Sequence, residues 1–320
     1  MTESPPLVTF GEVLGVLRAQ HPGPLDRGQA MRLSIAGSES NVAIGVRRLG
    51  VPATFLGRVG DDQLGAIVRA TLRGEGVQTR LHLDPSRPTG LMLTEQRVAD
   101  VRRVRYYRRD SAGSAITPGD LDEPVIAAAG LVHVTGITAA LSPSAHDTVV
   151  AAVQSARRHN VPVSLDLNFR AALCTPAQFR SYLMPLLDSA DILFASLDEA
   201  PHVLPGTDTA TPEQLAHALR GYGIAEVVLT DGRNGAWAES ESGSYRQPAH
   251  PVTAVDPIGA GDAFVAGYLA SWLSRAPIQD RLRTAARVAA FCVATLGDWE
   301  GLPSHQELAL LDLGDGSVTR

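Results

Sequence analysis

Short apolar runs bounded by Gly, Pro or Asp recur along the chain and alternate with longer stretches of helical periodicity. Runs at Leu7–Phe10, Thr54–Arg58, Leu131–Thr135, Val161–Asp166, Ile192–Ala195 and Glu226–Thr230 predict strands. Between them, Asn41–Leu49, Leu64–Glu75, Ser144–His159, Pro176–Leu187, Pro212–Gly221 and Ala263–Ser274 predict helices. Such alternation is what a central, mostly parallel sheet with crossover helices produces, so the expected class is α/β. Two segments break the rhythm. Val13–Ile35 is rich in Pro and Gly, and Thr89–Arg109 contains Leu91-Met-Leu-Thr and Val104-Arg-Tyr-Tyr-Arg108, which read as a hairpin. Residues of about 13–35 and 89–109 are therefore expected to form a small β lid inserted in the α/β core, or else a surface hairpin. No repeat, low-complexity tract or linker divides the chain further, so residues 1–320 read as one domain.

Composition removes several function classes. A hydrophobic fraction of 44% supports a sizeable core, and a net charge of -6 argues against a phosphate-tracking surface for nucleic acid. All 28 basic residues are Arg. Without Lys there can be no Walker A lysine, and any anion site must use Arg or backbone amides. Cys174 and Cys292 lie far apart, without the spacing of a zinc or redox motif. The start, Met-Thr-Glu-Ser-Pro-Pro, has no basic region before an apolar core, and no apolar run approaches the ~18 residues of a membrane span. A cytoplasmic location without membrane contact is expected.

The chemistry concentrates between Val255 and Ala270. Gly259 and Gly261 stand directly before Asp262, and an apolar helical pattern follows from Ala263. Glycines let the backbone approach a ligand, and the free amides of a helix start point at an anion. Asp262 could there accept the proton of an attacking hydroxyl, a role worth about 10²–10⁴ in rate. The same pattern also fits an ordinary loop with an Asp N-cap.

Longer strings decide between these. Asp256-Pro-Ile-Gly-Ala-Gly-Asp262-Ala-Phe264 followed by Gly267 resembles the C-terminal signature of the ribokinase-like (PfkB) sugar kinases. Ala36-Gly37-Ser-Glu-Ser-Asn41-Val-Ala-Ile-Gly-Val-Arg-Arg-Leu49-Gly50 and Gly57-Arg-Val-Gly60-Asp61-Asp62-Gln-Leu-Gly65 resemble that family's first signature. The resemblance implies a ribokinase-like fold with a β lid and in-line transfer of the ATP γ-phosphoryl group to a sugar hydroxyl. It gives Asp262 the base role and makes the amides around Gly259, Ala260 and Gly261 the anion hole. It also implies Mg²⁺ with the ATP, served through water by Glu199 in Ser196-Leu-Asp198-Glu199, where the family often has Asn at the position of Ser196. A monovalent cation such as K⁺ binds near the signature loop in several relatives. The nucleotide is expected over Thr230-Asp-Gly232-Arg233-Asn-Gly235-Ala236, with Arg233 in place of the commoner Lys, although Asp-Gly and Asn-Gly are also good turn formers. Ala286 stands where close relatives often place an adenine-facing Asn.

Three further strings resemble the 2-keto-3-deoxygluconate kinases: Tyr106-Tyr107-Arg108-Arg109-Asp-Ser111-Ala112, Asp166-Leu-Asn168-Phe-Arg170 and Gly297-Asp298-Trp-Glu300-Gly301. An acidic sugar is best held by Arg, whose planar fork matches a carboxylate, and the matching positions are Arg108 and Arg170. Asn168 and Arg170 are implied on the nucleotide side as well. Tyr106 would supply a hydroxyl and a ring face, while Gly37, Ser38 and Asn41 would contact sugar hydroxyls and Asp298 would grip the end near Asp262. Against these stand plainer readings: Arg108 on a solvated Arg-rich strand face, Arg170 in an ion pair with Asp166 or a nearby carboxylate, and Asp298 opening a turn. Met92 replaces a Tyr common in the lid of relatives. A neutral sugar would be expected to leave Arg108 and Arg170 unpaired.

Kinases acting on fructose, ribose or 5-keto-2-deoxygluconate are the alternatives within the family. Outside it, a dinucleotide-dependent oxidoreductase lacks its Gly-x-Gly-x-x-Gly after the first strand, and a catalytically dead binding protein sits poorly with an intact Asp262. Lids in this family commonly pair between subunits, so a homodimer or higher homo-oligomer is expected.

Overall fold

The computed structural model describes residues 4–98 and 101–313. Thus Met1–Glu3, in the stretch on which the leader expectation rests, and Ala99 and Asp100, within the expected lid segment 89–109, fall outside the described residues. The chain opens with β1 (Leu7–Gly11), β2 (Leu14–Ala19), β3 (Met31–Ala36), α1 (Ser38–Arg48), β4 (Ala53–Gly60), α2 (Gln63–Gly74) and β5 (Gln78–Asp84). Next come β6 (Leu91–Val98), β7 (Val101–Tyr107), α3 (Glu123–Ala127), β8 (Leu131–Thr135), α4 (Gly136–Leu141), α5 (Pro143–Arg158) and β9 (Val163–Asp166). The last third holds α6 (Pro176–Leu187), β10 (Ile192–Ser196), α7 (Ala200–Val203), α8 (Pro212–Arg220) and β11 (Glu226–Thr230). It ends with β12 (Ala236–Ser240), β13 (Gly243–Gln247), α9 (Ala260–Leu273) and α10 (Ile278–Val293).

A nine-stranded sheet runs β13-β12-β11-β10-β9-β8-β1-β4-β5. Every pairing from β11 to β5 is parallel, and the β11·β12 and β12·β13 pairings are antiparallel, so β12 runs against the other strands. Strands buried on both faces need apolar residues at every position rather than alternate ones. β1 and β8 are buried at every position, and their polar exceptions Thr9, His133 and Thr135 each make a side-chain hydrogen bond. Successive residues of β1 feed opposite layers: Leu7 joins the core with α1, α9 and α10, and Val8 joins the core with α5 and α6. Helices thus cover both faces, which fixes a three-layer α/β sandwich and leaves the C-terminal strand ends free to carry a site.

The second sheet has four strands in the order β3-β2-β6-β7, with antiparallel outer pairs and a parallel β2·β6 pair in the middle. Both expected lid segments contribute to it. Among the described residues its own apolar cluster is Leu14, Val16, Ala36 and Met92, with Val104 packed against it. Among the described residues no helix is long and apolar enough to cross a membrane.

Candidate active site

A cavity of about 430 Å³ opens between the lid and the C-terminal ends of β9, β10 and β11. Its base is set by α9. Gly259 caps that helix at φ 78°, and a Cβ there would collide with the carbonyl of Asp298, so conformation and close approach both require glycine. Asp262 therefore falls in the first turn, facing the cavity. Both carboxylate oxygens are held from the first turn of α1: Ser38 Oγ donates to Oδ1 at 2.7 Å and Asn41 Nδ2 to Oδ2 at 2.8 Å. Burial raises the carboxyl's pKa above the ordinary value, and the bonds from Ser38 and Asn41 oppose the rise. An anchored carboxylate of raised basicity is what proton abstraction needs.

Of the expected anion-hole residues, Gly259 and Gly261 line the cavity. Ala260 does not, and its amide donates to the Pro257 carbonyl at 3.3 Å. Gly37 lines the wall, where a Cβ would collide with the Glu12 carbonyl. Ser38, expected on sugar hydroxyls, is instead engaged with Asp262 and accepts from Asn168 Nδ2 at 2.8 Å. Asn41 likewise gives its amide to Asp262, and its buried Oδ1 has no partner among the described residues. That oxygen is the part of Asn41 left for a ligand.

Asp166 ends β9 on the cavity floor. Burial pushes its carboxyl well above the usual range, with Glu199 and Asp262 adding to the rise. Asn168 follows in a left-handed conformation, φ 44°, that aims Nδ2 at both Ser38 and Asp166. Arg170 lines the cavity half-exposed. It donates to the Phe169 carbonyl at 2.9 Å and lies 3.9 Å from Glu199, the carboxylate contact that the plainer reading anticipated. Glu199 is not a solvated carboxylate at a helix start: it accepts from the amides of Phe169 and Ser196, both at 2.9 Å. Ser196 Oγ accepts in return from Glu199 N at 3.2 Å, so Ser-x-x-Glu closes a reciprocal side-chain to backbone pair in the turn before α7. Ser196 thus supports Glu199 by its own means.

The lid wall brings Leu14, Met92, Val104, Tyr106 and Arg108 to the cavity. Arg108 stacks over the Tyr106 ring at 5.5 Å, but it is not a free cation. Its Nε donates at 2.7 Å and its Nη2 lies at 2.5 Å to Glu12 Oε2. This corrects the expectation that a neutral ligand would leave Arg108 unpaired. Asp298 is buried rather than opening an exposed turn, and it bonds Arg18 Nη2 at 3.0 Å. Burial raises its pKa to about 7 even though Arg18 lowers it.

Thr230 lines the cavity, whereas Gly232 and Arg233 sit on exposed surface and none of Gly232, Arg233 and Gly235 reaches the cavity. Their loop closes the antiparallel β11·β12 pair, with Thr230 opposite Ala236, as the turn-forming reading expects. Ala286 is buried in α10.

Sequence reasoning overlooked Glu12, Arg18 and Glu39, and gave Asp166 only as an ion-pair partner. Glu39 lies inside Gly37–Asn41, is buried, and accepts from Thr135 and Thr138, with burial raising its pKa. Its neighbours in the first signature were the available signal. Glu12 and Arg18 gave no local signal, because their partners lie on other elements. Among the described residues no group of three or more His, Cys, Asp or Glu is arranged to hold a metal ion directly.

Comparison with known proteins agrees with this geometry. A family model described as pfkB family carbohydrate kinase matches residues 5–305. The 2-dehydro-3-deoxygluconokinase of Thermoproteus tenax is 36% identical over 94% of this chain and 92% of its own. The 2-dehydro-3-deoxygalactonokinase of Haloferax volcanii is 30% identical over 98% of this chain and 99% of its own. Among solved structures, a putative ribokinase II from E. coli in complex with ATP and Mg²⁺ superposes with a TM-score of 0.88 at 25% identity, covering 96% of this chain and 99% of that one.

Proposed function

The chain belongs to the pfkB family of carbohydrate kinases, and on that premise we propose that it transfers the γ-phosphoryl group of ATP to the terminal hydroxyl of 2-keto-3-deoxygluconate, giving the 6-phosphate. The observation that carries the transfer is Asp262, held on both oxygens by Ser38 and Asn41 beneath the free start of α9. As the sugar oxygen bonds to the γ-phosphorus, Asp262 takes its proton, the bridging P–O bond breaks and ADP departs. Charge growing on the transferring group would meet the Gly261 amide and the positive end of α9. The lid would exclude water that could otherwise accept the phosphoryl group. On this reading residues 1–320 act as one kinase domain, with the four-stranded sheet as its lid.

The residues fit a magnesium nucleotide. Glu199 raises the electrostatic cost of charge on Asp166 at the cavity floor, and a divalent cation held through phosphate oxygens and water would relieve it. Mg²⁺ supplies charge neutralisation at the β and γ oxygens. Glu199 would hold its water, and Thr230 with the Gly232–Gly235 turn would flank the nucleotide. A cytoplasmic location follows from the ATP requirement.

Acid specificity rests on Arg108 and Arg170 facing one cavity, and on the enzymes named above. The Glu12–Arg108 pair favours one second reading, a neutral sugar, because Arg108 already has a counter-charge. A substrate panel separates them: ADP release should be far faster with 2-keto-3-deoxygluconate than with fructose or ribose, and equal turnover would sink the acid assignment. Exposed Leu33 and Tyr107 on the outer lid face support self-association there.

A further inference from the structure

Arg18 sits near the end of β2, in line with Leu14 on the strand face that looks into the cavity. It leaves its own sheet to reach the opposite wall, where Nη2 bonds Asp298 Oδ1 at 3.0 Å and Nη1 lies 3.7 Å from Asp256 Oδ2. Both carboxylates are buried, and Glu300 stands beside them. A lid-borne cation is therefore the counter-charge for a crowded acidic corner.

That corner is built into the signature loop. Asp256 accepts from the amide of Ile258 at 3.2 Å and from that of Gly297 at 3.4 Å. Gly259, one residue on, packs against the backbone of Asp298 so closely that no side chain could fit between them. Two more contacts tie the lid to the same segment: Ser34 Oγ donates to Glu300 Oε1 at 2.7 Å, and Trp299 Nε1 donates to the Ile35 carbonyl at 3.1 Å. A continuous path thus runs from β2 and β3 through Asp298 and Asp256 to Gly259, the residue that starts α9 and sets Asp262.

We propose that Arg18 is a positioning residue for the transfer step: from the lid it holds Asp298 in place, and through Asp298 and Asp256 it fixes the Gly259–Gly261 backbone over which the phosphoryl group passes. The proposal rests on the kinase reading above and adds a residue that does not itself touch the reacting atoms. A guanidinium suits the task because its fork can address two carboxylates at once, where an ammonium is a single point of charge.

The groups facing Asp298 are Arg18 from β2, Asp256 and Glu300 from the flanking loops, Asp262 from α9 and Cys292 from α10. Of these, Arg18 alone favours the charged form. Cys292 stays a neutral thiol at working pH, since burial pushes it up to about 12. The acid limb of kcat/KM should therefore carry a contribution from Asp298 beside that of the base Asp262, and removing Arg18 should move the Asp298 contribution to higher pH.

The test measures kcat, KM and kcat/KM against pH for wild type, Arg18→Gln, Arg18→Lys and Asp298→Asn, with ATP, Mg²⁺ and 2-keto-3-deoxygluconate, alongside each melting temperature. Arg18→Gln is expected to lower kcat by about 10–100-fold, the size of one lost charged hydrogen bond, and to shift the acid limb to higher pH. Arg18→Lys should restore the limb to its wild-type position. Asp298→Asn should change the limb, leaving only the part that belongs to Asp262, which keeps the test decisive if Arg18→Gln does not fold. An Asp298→Asn limb that coincides with wild type, or an Arg18→Gln enzyme whose limb and kcat match wild type, overturns the proposal. So does a loss of activity that follows melting temperature with the limb unmoved. Absence of turnover by wild type would instead overturn the functional reading, so the two failures are distinct.

Discussion

The nine-stranded sheet and the four-stranded lid are held by different forces. In the large sheet, Phe10, Phe55 and Phe194 are almost wholly buried between helical layers, and loss of one such ring would be felt throughout the core. Among the described residues the lid has a four-residue apolar cluster, and it depends on polar ties: Arg18 to Asp298, Ser34 to Glu300, Arg108 to Glu12 and Trp299 to Ile35. Apolar burial is indifferent to what occupies a cavity, whereas ion pairs on a cavity wall compete directly with a ligand. The contrast therefore divides the molecule into a part that keeps its shape and a part whose contacts a ligand can rearrange.

Asp262→Asn tests the rigid side most severely. With its supports Ser38 and Asn41 retained, turnover should fall about 10²–10⁴-fold while the melting temperature stays close to wild type; retained activity would remove Asp262 from the mechanism. Phe10→Ala should cost about 3–5 kcal/mol in denaturant unfolding, because the void lies in a core that cannot collapse around it. A cost below about 1 kcal/mol would mean that the two sheets do not differ as described.

On the lid, Arg108→Ala should raise KM for the acid sugar by about 10–100-fold with kcat little changed, the value of a charged hydrogen bond. An unchanged KM would assign Arg108 to Glu12 alone. pH should act on the same wall. Asp298 is raised from 3.8 to about 7, so it gains a proton as pH falls through 7, which weakens its bond to Arg18 and would weaken its proposed bond to a sugar hydroxyl. KM for the sugar should then rise below pH 7 and level off above it, and a flat KM between pH 6 and 8 would exclude Asp298 from binding. The smallest effect is expected at Leu33→Ser on the outer face: within about 0.5 kcal/mol on unfolding of the chain, but with a shift from dimer towards monomer in sedimentation. An unchanged sedimentation profile would place any self-association elsewhere.

Most buried elements were legible in the chain, and the reason is visible at particular residues. The apolar runs at Leu131–Thr135 and Glu226–Thr230 and the helix at Pro176–Leu187 have the bounds that their patterns predict. β5, β12 and β13 were not singled out, since Gln78–Asp84 is an edge strand of alternating polarity and Gly243–Gln247 is largely polar. Helix starts were read three residues late at α1 and α9. Both are capped by a glycine, Gly37 and Gly259, which offers no side chain to mark the boundary. That shift matters, because it brings Ser38, Glu39 and Asn41 into one helical turn and Asp262 into another.

The order of residues alone determined that strands and helices alternate, that lysine takes no part in an anion site, and that Gly259, Gly261 and Asp262 stand together before an apolar helix. These are properties of neighbours in sequence, fixed by periodicity and backbone freedom. Tertiary structure decided the rest: that Ser38 and Asn41 serve Asp262, that Glu12 already pairs with Arg108, and that Arg18 reaches Asp298 and Asp256. Each of these joins residues from different elements, where a charge's meaning depends on which partner is within about 4 Å and how much water lies between, and nothing local to either residue encodes that.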